Sequence, residues 1–111
     1  MSRPLQLSTT APTRVRALAR DLGQRLKVAR KRRRITQKEL SVRSGVAYVT
    51  VQAVEGGRIQ TAIGAYIAMA WVLGLDKQLE QLFISDPEGE AMERARLPQR
   101  VRAGSADDDE F

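Results

Sequence analysis

The sequence contains no cysteine and no histidine. Without thiols, disulfides and thiolate metal sites are excluded. Without imidazole, the commonest general base near neutral pH and a principal zinc ligand are also missing. Carboxylates remain, but Asp21, Glu39 and Glu55 are isolated along the chain, and no nucleophile has an evident base. A non-enzymatic protein with no metal and no cofactor is expected. Long apolar runs are absent too. The most apolar stretch, AIGAYIAMAWVLGL at 62–75, is too short to span a bilayer as a helix and suits a buried core helix. The first dozen residues lack the apolar segment of a secretory signal. The expected location is the cytoplasm, in association with the nucleoid, with no membrane partner.

Charge is present and unevenly distributed. The 111 residues carry a net charge of +6, but residues 1–60 hold 14 Lys and Arg against three Asp and Glu, whereas residues 61–111 hold five against ten. A strongly basic half predicts a polyanionic partner, and the acidic half predicts a different task.

The apolar spacing is helical throughout and predicts an all-α fold. Val15, Leu18, Ala19, Leu22, Leu26 and Ala29 form one stripe of a first helix that ends within KRRR. Thr36-Gln37-Lys38-Glu39 is a capping-box sequence, with Ile35 and Leu40 at staple positions, and it predicts a second helix from Gln37 to about Ser44. Gly45 supplies a left-handed stop. A third helix follows from near Ala47 to Glu55, with Val51 and Val54 inward and Gly56-Gly57 ending it. Its β-branched run Val49-Thr50-Val51 and its poor N-cap, Ala47, make it dependent on tertiary packing. Thr61 is expected to cap a fourth helix through about Leu73, whose stripe is Ile63, Tyr66, Ile67, Ala70 and Leu73. Asp76 begins a fifth, KQLEQLF, expected to return Leu79, Leu82 and Phe83 to the core. Asp86-Pro87 starts a weak helix, interrupted by Gly89 and stopped by Pro98. The organisation is thus a flexible arm over 1–12, a helical domain over 13–84, and an extension over 85–111 that ends in an acidic disordered tail.

Helix, glycine turn, helix is the arrangement that places a second helix in a DNA groove. The segment LGQRLKVARKRRRITQKELSVRSGVAYVTVQAVEGGR resembles the helix-turn-helix domain of the XRE family, in the Cro and phage-repressor superfamily. The resemblance lies in Thr36-Gln37, Glu39-Leu40, Ser44-Gly45-Val46 and Glu55-Gly56-Gly57, and extends over about residues 18–84. Ser41, Ala47 and Ala53 depart from the residues usual there. The resemblance implies a compact five-helix bundle of the lambda-repressor type that binds double-stranded DNA and regulates transcription, with Gly45 and Gly57 as structural turns.

On that reading the third helix enters the major groove. Tyr48, Val49, Thr50, Gln52 and Ala53 hold the base-reading positions. Gln52 can pair with adenine or contact the backbone, Val49 and Ala53 suit thymine methyls, and Thr50 suits a base or a phosphate. No Arg or Lys lies within Tyr48–Glu55, so recognition is weighted toward methyls and DNA shape. Phosphate contacts fall to Gln37, Arg43, Arg58 and the run containing Arg30, Arg33 and Arg34. The resemblance implies the role of Gln37, where helix N–H groups also face an anion. Simpler readings stand beside these: the basic run as a solvated face, Tyr48 packed on the first helix, Glu55 bonded to nearby backbone or Arg.

One such module makes an interface of roughly 600–1,000 Å², so a homodimer on an inverted-repeat operator is expected, acting as an autorepressor. Trp71, at the margin of the fourth-helix stripe, is the candidate dimer residue or a core residue. The segment DPEGEAMERARLPQRVR resembles the extension of HipB-like antitoxins encoded beside HipA-like kinases. It implies a second possible partner, a HipA-like kinase toxin, neutralised by direct binding.

Overall fold

The computed structural model describes residues 11–100, with side chains through 97. Among these residues there is no strand, and six helices follow in order: α1 Thr13–Arg32, α2 Gln37–Ser44, α3 Tyr48–Glu55, α4 Ile63–Val72, α5 Asp76–Leu79 and α6 Pro87–Arg100. The arm before Ala11 and the acidic tail lie outside the described residues. The chain forms two compact units, one ending at Leu79 and the other starting at Glu80.

The core of the first unit is small. Leu40, Val51, Val54 and Met69 are fully enclosed, joined by Leu26, Ala29, Ala65, Ala70 and Leu73. Ile35, Val46, Tyr66 and Leu79 pack around them. At 20 residues α1 is about 30 Å long, and only its second half reaches this core. Leu26 and Ala29 are buried, whereas Val15, Leu18 and Leu22, expected on the same inward stripe, stay 40–48% exposed.

Helix α1 closes with a Schellman pattern. The Arg34 N–H donates to the Lys31 carbonyl and the Ile35 N–H to the Arg30 carbonyl, at 2.9 and 3.3 Å. Arg34 takes the left-handed position at φ 56°, where glycine is usual. Ile35 then packs against the core to which Leu40 belongs, consistent with the staple positions. The capping box forms: Thr36 Oγ1 accepts from the Glu39 N–H at 3.0 Å, and the Thr36 N–H donates to Glu39 Oε1 at 2.8 Å.

Between α2 and α3 the turn is fixed by side chains as well as by Gly45, whose φ is 76°. Ser41 Oγ donates to the Val46 carbonyl and Ser44 Oγ to the Leu40 carbonyl, both at 2.6 Å. The Val46 N–H donates back to Ser44 Oγ at 3.2 Å. Ala47, as its chemistry dictates, gives α3 no side-chain cap.

Several expectations need correction. Thr61 does not cap α4; its hydroxyl donates to the Arg58 carbonyl at 3.1 Å, and Ala62 holds the N-cap position. The buried arc of α4 comprises Ala65, Met69, Ala70 and Leu73, about 60° round from the expected stripe at 3.6 residues per turn. Ile63 and Ile67 are therefore exposed. This helix is apolar on most sides, so its sequence does not set its phase; two alanines let it approach closely and Met69 fills the centre. The fifth helix stops at Leu79. Phe83 adopts φ 57° and is 92% exposed, and Leu82 is half exposed, so neither returns to the core.

In the second unit α6 starts as predicted. Pro87 holds the first position, and Asp86 Oδ1 accepts from the Gly89 N–H at 3.1 Å. Gly89 does not interrupt the helix; its N–H serves the Asp86 cap, and the Asp86 carboxylate lies close over its Cα. Nor does Pro98 stop it. The helix runs to Arg100, because a proline this near the end forfeits one donated bond without splitting a long ladder.

Candidate nucleic-acid interface

The two faces of α3 differ sharply. Val51 and Val54 have no exposure, whereas Val49 is 69% and Tyr48 40% exposed. Gln52 is also exposed, and Thr50 and Ala53 are half-buried at the edge of the same face. The five residues expected to read bases thus lie on or beside one outward surface. Tyr48, at 40% exposure, is not part of the core and leaves part of its ring open on this surface.

Glu55, at the end of α3, is buried and holds three segments together. Its carboxylate accepts from Arg30 Nε at 2.7 Å and Arg30 Nη2 at 3.0 Å, a bidentate pair with both side chains nearly inaccessible. Arg30 Nη1 donates to the Ile35 carbonyl at 2.8 Å, and Gln37 Nε2 donates to Glu55 Oε1 at 2.9 Å. The end of α1, the start of α2 and the end of α3 are tied through one carboxylate. No buried side-chain nitrogen or oxygen among the described residues lacks a partner, so this network meets the condition under which an enclosed charge is tolerable.

This geometry corrects one phosphate candidate and narrows another. Arg30 is not an exposed cation; at 7% exposure, with Nε, Nη1 and Nη2 all engaged inside, it is a strut. Gln37 is half-buried and spends one amide N–H on Glu55, which leaves the second N–H and the first-turn backbone for an anion. Arg33, Arg34, Arg43 and Arg58 are exposed. Arg33 Nη1 folds back onto the Ala29 carbonyl at 2.8 Å.

Arg58 opens onto a groove of about 790 Å³ that also takes in Val49, Thr50 and Ala53 from α3, and Arg16 and Arg20 from α1. The sequence marked Arg16 and Arg20 only as part of a basic helix surface. What brings them here is a close helix approach at two glycines. A Cβ on Gly23 would collide with the Val54 carbonyl, and one on Gly57, whose φ is 80°, would sit 2.8 Å from the Arg20 Cα.

Trp71 is 62% exposed, in a row with Ile63 at 69% and Ile67 at 46%. Positions four apart on a helix form one ridge. This excludes the core alternative for Trp71. Glu39 has a pKa below its usual value, first because it accepts the Thr36 backbone N–H and also through the Thr36 hydroxyl and Arg43, against a smaller opposing effect of burial. No helix among the described residues is long and apolar enough to cross a membrane, and no group of acidic side chains there is arranged to hold a metal ion.

A family model described as a helix-turn-helix domain matches residues 21–83. Comparison with curated proteins and with solved structures gave no match.

Proposed function

The chain belongs to the helix-turn-helix domain family, and from that premise we propose that it is a sequence-specific DNA-binding transcriptional regulator of the XRE type, a dimeric autorepressor that inserts α3 into the major groove of an inverted-repeat operator. The observation that carries the proposal is the division of α3: two valines sealed in the core, and Tyr48, Val49 and Gln52 turned outward with Thr50 and Ala53 beside them. A helix so anchored presents its free face as a rigid surface, which base readout requires. Arg33, Arg34, Arg43 and Arg58 supply phosphate contacts, and Gln37 supplies one donor while Arg30 positions it. Thymine methyls on Val49 and Ala53, and an adenine edge or backbone on Gln52, are the contacts these side chains offer. The test is operator selection from a random duplex pool, followed by Val49→Ala and Gln52→Ala separately. Each replacement is expected to relax preference at distinct base pairs, by about 1–3 kcal/mol for a bidentate contact. Unchanged preference in both defeats the assignment.

Dimerisation through Ile63, Ile67 and Trp71 is part of this proposal. The exposed ridge supports it, and Trp71→Ala is expected to lower the association constant in sedimentation equilibrium. A second reading, neutralisation of a HipA-like kinase toxin, is favoured by one feature of the second unit. Leu82, Phe83 and Ile84 are all exposed, and α6 displays Met92 and Leu97 without burying either. Apolar surface of this kind marks protein contacts. Co-purification with the product of an adjacent kinase-like gene tests it; no complex at micromolar concentration removes it.

A further inference from the structure

We infer that the groove between the first two turns of α1 and the turn after α3 is a second phosphate clamp, in which Arg16 and Arg20 on one wall and Arg58 on the other hold a sugar-phosphate strand of duplex DNA beside the bases read by α3. This inference rests on the DNA-binding reading and extends its footprint. Arg16 and Arg20 precede residue 21, where the family match begins, and Arg58 lies within the matched residues.

Three observations carry it. First, the described residues that line the groove include three with guanidinium groups and none with a carboxylate; Arg16 Nε also donates to the Ala11 carbonyl at 3.4 Å, which holds this side chain at the groove's edge. Like charges gathered in one concavity repel, and its low-dielectric walls strengthen their field, so an anion there is favoured. Asp21, the only acid of α1, is absent from the lining, and the nearby Glu55 carboxylate is enclosed with Arg30 and Gln37. Second, the walls are fixed. Gly57 lies against the Arg20 backbone so closely that no side chain fits between them, which sets Arg20 beside Arg58 with little freedom to drift apart. The Arg58 N–H is itself bonded to the Ala53 carbonyl at 3.0 Å. Third, the groove is continuous with the reading face, because Val49, Thr50 and Ala53 belong to both. A strand lying against Arg58 therefore borders the bases under α3.

The test uses the full chain and a mixed-sequence duplex of about 30 base pairs, with the binding constant measured by fluorescence anisotropy between roughly 50 and 300 mM salt. Each phosphate contact contributes about 0.9 to the slope of log K against log salt concentration. Arg16→Gln with Arg20→Gln is expected to lower that slope by about 1.8, and Arg58→Gln alone by about 0.9. The ratio of affinities for a selected operator and the mixed duplex should stay the same, because phosphates carry no sequence information. Lys77→Gln with Arg94→Gln removes the same charge elsewhere and should leave the slope higher than the groove double does. A full slope in the groove double, or an equal loss in both doubles, overturns the clamp while DNA binding stands. If the unaltered protein fails to bind either duplex at the lowest salt, the DNA-binding reading falls and the clamp with it. Circular dichroism of each variant confirms folding, and Arg20→Gln alone, at an exposed position, provides the reading if the double is unstable.

Discussion

Removing the Glu55 carboxylate should be among the most damaging single changes available to this fold. In Glu55→Ala the Arg30 guanidinium stays behind at 7% exposure, with two of its three engaged nitrogens unpartnered. Gln37 loses its acceptor as well. Leaving one member of an enclosed ion pair alone costs about 3–5 kcal/mol. A domain of this size has about 5–10 kcal/mol of total stability, so the variant should lose a third or more of it. The same physics predicts a partial rescue. Arg30→Met combined with Glu55→Leu removes both charges, and desolvation of neither has then to be offset; the pair should be destabilised far less than the sum of the two single variants. Urea unfolding followed by ellipticity at 222 nm measures the four corners of this cycle: the parent, Arg30→Met, Glu55→Leu and the double variant. The expected coupling exceeds about 2 kcal/mol, within the range for residues sharing one network. Strict additivity, or a Glu55→Ala cost under about 1 kcal/mol, the level of a surface pair, would refute the argument that this carboxylate organises the three segments.

Arg34 sits at φ 56° where glycine is unstrained; Arg34→Gly should raise stability by about 0.5–1 kcal/mol while weakening DNA binding, a split read by paired urea and anisotropy titrations. Gly57→Ala should cost distinctly more than Gly45→Ala. Both have positive φ, worth about 1 kcal/mol, but a Cβ at Gly57 meets the Arg20 backbone while one at Gly45 meets nothing within 4 Å; equal melting temperatures would contradict this. Glu39 has a depressed folded pKa, so its contribution is present above the unfolded value near 4.5 and is lost as pH falls through the lower folded value. Glu39→Gln should therefore flatten the acid side of the stability profile, measured as the urea midpoint between about pH 2 and 6, and leave any alkaline dependence untouched.

The parts of this molecule that could be read from sequence are those set by local chemistry. Thr36-Gln37-Lys38-Glu39 and Asp86-Pro87 specify helix starts within a few residues, and the capping box forms with the expected atoms. The Gly45 stop and the inward valines of α3 were legible for the same reason. What could not be read depends on where other segments lie. Arg30 looks like its neighbours in a basic run, and only the approach of Glu55, 25 residues away, makes it an internal strut. Helix α4 offers apolar residues on most sides, so packing at Ala65 and Ala70 decides its phase and sends Ile63 and Ile67 outward. Arg16 and Arg20 gained meaning only from the close approach at Gly23 and Gly57.

These long-range constraints share a location, and that has a consequence for how binding and folding are linked. Helix α3 is eight residues long, uncapped and β-branched in its first turns, so alone in water it would scarcely populate a helix. Its order comes from Val51 and Val54 in the core, from Glu55 at one end, and from the Ser41 and Ser44 bonds across the preceding turn. Every one of those interactions also fixes the orientation of Val49 and Gln52. Substitutions that loosen the Glu55 network should therefore weaken sequence preference before they unfold the protein, because discrimination between bases demands a position held to a fraction of an ångström whereas phosphate attraction does not. Nonspecific affinity, carried by exposed arginines, should survive. A variant such as Gln37→Ala, which removes one bond from that carboxylate but leaves its ion pair intact, ought to lower the ratio of specific to nonspecific binding more than it lowers the urea midpoint; if the two fall in proportion, rigidity at α3 is not what reading depends on.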